Sequence, residues 1–188
     1  PYLLHVKGLA LLGLKRPSEA LVELQRALND NEYFRDLSQE IMHHMAVANF
    51  DLGKLSRSLE LANKVQITSL NDHLKVNHRI LKARLYLKKG LWIESASEAL
   101  ATARLAADAY RVLGPIFDEA LAGIEKPSDL RSLIKEYPDT SISDRLMYRL
   151  AKIELRDGNN GDGQALLRTI LSRFPTSHLY LAASKQLQ

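Results

Sequence analysis

The sequence predicts an all-α protein built as a stack of about five helical hairpins and a terminal helix. Three observations predict it. Leu, Ala, Lys, Arg and Glu, all good helix formers, are common in a 188-residue chain with only six prolines and nine glycines. Valine and isoleucine are sparse, which argues against strands. Turn residues also recur at the length of a hairpin. Gly53, Gly90 and Gly158 lie 37 and 68 residues apart, the second interval being twice 34. A small residue stands seven positions before each: Ala46, Ala83 and Ala151. Glycine at the turn adopts positive φ and stops a helix. A small residue lets the partner helix cross closely. One such hairpin cannot bury its apolar stripe alone, whereas stacked copies build a continuous core.

The elements follow in order. The first hairpin spans 1–29, with Gly8 in the small position, Lys15 at the turn, and Ala20, Leu24 and Ala27 along the second helix. The second spans 33–66, with Ala46, Gly53 and the stripe Ser58, Ala62, Val65. The third spans 70–106, with Ala83, Gly90 and the stripe Ser95, Ala99, Thr102; Trp92 is expected to pack beneath the next hairpin. The fourth, 115–137, is the weakest match. Gly114–Pro115 is expected to start its first helix, since proline suits a first turn, and Ile124 stands where a turn glycine belongs. The fifth spans 141–173, with Ser141 and Asp144 as a capping box and Gly158 at the turn. Tyr137–Pro138 and Phe174–Pro175 mark repeat ends, because proline disfavours helix in the residue before it. A final helix is expected near Thr176, capped by Ser177.

Composition excludes several classes. The net charge is +4 and the charges are interspersed, without a run of like sign, so no nucleic-acid footprint is expected. There is no cysteine, hence no disulfide framework and no thiolate chemistry. No apolar run approaches the length of a membrane span. Pro1 in place of methionine, and a helical pattern running to the last residues, lead us to expect one solenoid domain over 1–188 cut from a longer chain.

Catalytic and metal motifs fail on inspection. His43 and His44 are adjacent, about 100° apart on a helix, and so do not chelate one ion together. His73 and His78 do not share a face either, and the histidines are expected at the surface or in a groove. The run from Gly158 to Gly163, GNNGDG, lacks the Lys–Ser/Thr and the preceding strand of a phosphate loop and reads as a lengthened turn. The carboxylate pairs Asp118–Glu119 and Asp30–Glu32 fall at helix surfaces or ends. We therefore expect no enzyme, no metal and no cofactor.

The spacing of Ala83, Tyr86, Gly90, Ser95 and Ala99, and of Gly8, Ala20 and Ala27, resembles the tetratricopeptide repeat. Ser58 and Ser95 stand where that repeat usually has alanine. The resemblance implies a right-handed α-solenoid that works as a protein-interaction scaffold. The aromatic–Pro–x–Thr/Ser joints are similar to repeats of bacterial cell-envelope proteins: outer-membrane assembly lipoproteins, periplasmic division coordinators and penicillin-binding-protein activators. That similarity implies a periplasmic or outer-membrane-associated place. A cytoplasmic adaptor is the alternative location. A helical accessory arm of a larger solute-binding receptor or cell-wall enzyme is the alternative role.

In such arrays the first helices line a concave face that binds a protein or peptide partner. By helical spacing that face carries His5, Leu9 and Leu12, then His43, Val47 and Phe50, then Ile80, Arg84 and Leu87, and finally Arg145, Tyr148, Lys152 and Leu155. It changes from apolar with histidines to basic with aromatic and aliphatic edges. One subclass of the repeat grips a C-terminal carboxylate with Lys and Asn. His5 and Leu9 depart from that pattern.

Overall fold

Residues 1–31 and 35–187 are described by the structure, a computed structural model. Among them are eleven α-helices, two short 3-10 turns and no strand, with 80% of the chain helical. Glu32 of the Asp30–Glu32 pair and the first two residues of the expected second hairpin lie outside the described residues. The chain forms two compact units, Pro1–Lys89 and Gly90–Gln188.

The first unit contains α1 (Tyr2–Gly13), α2 (Pro17–Asn29), α3 (Arg35–Asp51), α4 (Leu55–Lys64) and α5 (Asp72–Lys88). α1 packs on α2 and α3 on α4 as tight hairpins, while α2 bridges to α3 and α4 to α5. The second-helix stripes meet the first helices as the spacing requires. Ala20, Leu24, Ala27 and Ser58 have no exposed surface. A Cβ added to Gly8 would lie 2.7 Å from the Leu24 side chain, so any larger residue there would have to displace Leu24. Ala20, Leu24 and Ala27 join Ile41, Met45, Leu81 and Leu85 in one core.

The tight turns share one hydrogen-bond scheme. Arg16, Lys54 and Asn159 donate their N–H five residues back, to the carbonyls of Leu11, Asn49 and Glu154, at 2.9, 2.9 and 2.8 Å. Each bond closes over a residue in the left-handed region: Lys15 at φ 58°, Gly53 at 72° and Gly158 at 87°. This is a Schellman ending, which satisfies carbonyls that the last helical turn leaves free. Gly90 has the same sign, φ 71°.

The second unit contains α6 (Trp92–Leu105), α7 (Tyr110–Gly123), α8 (Pro127–Glu136), α9 (Ser143–Arg156), α10 (Asn160–Arg173) and α11 (Tyr180–Gln186). α9 and α10 form its tight hairpin, and α10 packs on α11. Met147, Ala151, Leu167, Ile170 and Ala183 are the core there. α7 packs on α6 and on α9, and α8 packs on α9. The Trp92 ring covers Gly123, where a Cβ would overlap it.

Four local expectations are corrected. Pro115 lies inside α7 rather than at its start, because the helix is initiated by a 3-10 turn at Ala107–Ala109. Ile124 is extended, at φ −87° and ψ 114°, and buried, so α7 and α8 are joined by an extended link and not by a left-handed turn. The capping box at Ser141 and Asp144 does not form. Ser143, at the start of α9, ties down the joint instead. Its hydroxyl accepts from Thr140 N–H at 2.8 Å and donates to the Tyr137 carbonyl at 3.0 Å, fastening the proline segment to the helix. The last helix also starts later, at Tyr180, because Ser177 closes a turn by accepting the Leu179 N–H.

Candidate functional site

The second unit contains a cleft of about 300 Å³ whose wall is α9. Arg145, Tyr148, Arg149 and Lys152 follow the i, i+3, i+4, i+7 spacing, so a helix puts them on one face. Asp118, Leu121 and Ala122 of α7 form the facing wall by the same spacing, and His178 and Leu179 close one end. Three cations thus surround an apolar floor against one carboxylate. A second cavity of about 480 Å³ shares Arg145 and His178 with the first and so lies next to it.

Each cation is held differently. Arg145 donates from Nη1 to Asp118 Oδ2 at 2.5 Å, bridging α9 to α7. Arg149 donates from Nη2 to the carbonyls of Ala122 and Ile124 at 3.2 and 3.3 Å, and so covers the carbonyl end of α7. Its Nε is buried without a hydrogen-bond partner. Lys152 is exposed and Tyr148 half-buried. Asp144 sits under the groove, accepting from its neighbour's backbone N–H at 2.8 Å and from the Ser177 hydroxyl.

Arg145, Tyr148 and Lys152 are therefore brought together. Leu155, expected beside them, packs against the core of the second unit, and the other residues expected on the concave face belong to the first unit. His5, His43 and Leu87 are buried at 5, 3 and 8% exposure. Leu9 is half-buried, and Phe50 packs against the core of that unit. Arg84 is exposed. Arg149 was missed by sequence reasoning although it lies four residues after Arg145, the spacing that would have found it. His178 was missed because it was read as part of a helix cap.

The histidines were expected at the surface or in a groove, and four of them are instead packed together in the first unit. His5 Nε2 lies 3.1 Å from His44 Nδ1, and His43 Nδ1 lies 3.1 Å from His78 Nδ1. The rings of His43 and His44 are 5.0 Å apart between centroids, which joins the two pairs. Burial pushes His43 and His44 down to about 3, with the neighbouring rings adding to the effect. Burial, then the charge of Lys82, lowers His78 to about 4. Burial also lowers His5, against an opposing pull from Glu40.

Among the described residues no group of three or more His, Asp or Glu side chains is placed to hold a metal ion. The GNNGDG run, expected as a lengthened turn, is instead a short turn at Gly158 and Asn159 followed by the first turn of α10, with Asn159 donating to the buried Glu154 carboxylate at 2.7 Å. No protein-family model matches the chain, and comparison with curated proteins finds no match either.

Proposed function

We propose that the protein is a non-catalytic interaction module of the tetratricopeptide kind, whose groove between α7 and α9 takes an acidic peptide segment with an apolar anchor. One observation carries this reading: an aromatic ring, an apolar floor and an excess of positive charge converge on a single cleft. Tyr148 and the arginines are the residue types that carry interface energy when partly desolvated. Leu121, Ala122 and Leu179 offer a seat for a leucine or phenylalanine. Lys152 lies at the rim, where charge steers an acidic partner and speeds association. A carboxylate on the peptide competes with Asp118 for Arg145, so docking exchanges one ion pair for another. The aromatic–proline joints at Tyr137 and Phe174 support a place in the bacterial envelope.

A display selection of random peptides against the whole chain tests the reading. Enriched peptides should carry an Asp or Glu within a few residues of a Leu or Phe. Tyr148→Ala should weaken them by about 2 kcal/mol, roughly thirtyfold. Enrichment of basic peptides, or full binding to Tyr148→Ala, would refute it.

A further inference from the structure

The four clustered histidines of the first unit form a ladder across three helices. His5 comes from α1, His44 and His43 from α3, and His78 from α5. The contacts at its two ends are nitrogen to nitrogen, each at 3.1 Å. Such a contact holds one proton: one ring supplies N–H and the other a lone pair. A ring that gains a second proton has N–H on both nitrogens and can no longer accept. A contact in which both rings carry two protons therefore sets two donors, and two positive charges, against each other across 3.1 Å.

We propose that this ladder is an acid-sensitive latch, which holds α1 and α5 to α3 while its rings are neutral and releases them when they charge. The surroundings set the direction. His44 also bonds the Glu40 backbone, and among the described residues Glu40 is the acidic group that favours charge, at His5. From α5, Lys82 and Arg79 disfavour charge on His78, and from α4 the Ala62 backbone bonds it. On α2 the Glu23 carboxylate is engaged by Lys7 and Arg26. The folded rings thus bind protons more weakly than free imidazole, near 6.5. Protons consequently bind the opened state first. The ladder's contribution is fully present above about pH 6.5 and is lost as pH falls from there towards about 3.

The test compares melting at pH 7.5 and pH 5.0 for the whole chain. The wild type should lose roughly 10 °C or more between the two, since more than one ring is involved. His43→Gln with His78→Gln keeps a donor and an acceptor in place but does not titrate, and it should remove at least a third of that loss. His73→Gln with His178→Gln, both exposed positions, should leave the loss unchanged. The same fall in all three proteins would overturn the proposal. Proton NMR of the wild type gives a readout that does not depend on how well a variant folds. The rings of His43, His44 and His78 should keep the shifts of neutral imidazole down to pH 5 in the folded protein, and titration near 6.5 by any two of them would equally overturn it.

Discussion

Lys15 occupies the turn between α1 and α2 at φ 58° and is, among the described residues, the sole non-glycine at positive φ. For an L-residue this conformation costs roughly 1–2 kcal/mol, whereas glycine adopts it freely at some entropic cost in the unfolded chain. Lys15→Gly should therefore raise stability by about 0.5–1 kcal/mol, seen as a higher urea midpoint with an unchanged slope. The turn register that places Lys15 there was legible in the sequence, because Gly8 precedes it by the same seven residues that separate Ala46 from Gly53. The histidine ladder was not legible. Its members are 35 and 39 residues apart across the two contacts, and their meeting depends on how the first helices of successive hairpins lie against one another. Spacing within one helix says nothing about that.

At the level of elements, hairpins with a left-handed turn were the readable ones, and the α7–α8 segment was not. Pro115 sits at the sixth position of α7, where its missing N–H removes a bond to the Arg111 carbonyl. A proline there looks like a helix start when the preceding 3-10 turn is not known. The links among α8, α9 and α10 also depend on a group the sequence left anonymous. Glu154 on α9 is 2% exposed and accepts from Arg131 of α8 at 2.7 Å, while the same guanidinium reaches Asp162 of α10 at 2.9 Å. Arg131→Met strips the buried carboxylate of a charged partner. Arg131 is itself half exposed, so the cost should be moderate, about 1–3 kcal/mol. Adding Glu154→Met should recover much of it, since an apolar pair of similar volume replaces a buried ionic one with little loss. A double-mutant cycle by chemical unfolding reads the coupling directly. Additive losses would mean that the bridge holds nothing.

For the whole molecule, each of the two units has a core of its own, and the groove belongs to the second. All-α character and close helix packing followed from composition and from the recurrence of turns. The candidate groove was only partly legible. Arg145, Tyr148 and Lys152 were found from helical spacing, while Asp118 and Leu179 come from distant segments that only the packing of α7 and the turn before α11 brings near. The central claim is that an acidic partner docks in this groove and depends on its positive charge. The most direct measurement is a salt-titrated binding isotherm of a selected acidic peptide with paired variants. Tyr148→Ala with Lys152→Ala should lose at least about thirtyfold in affinity and show a flatter dependence on salt. Lys64→Ala with Arg168→Ala, exposed cations on second helices, should bind like the wild type. Equal losses in the two pairs, or a loss confined to the second, would contradict the account.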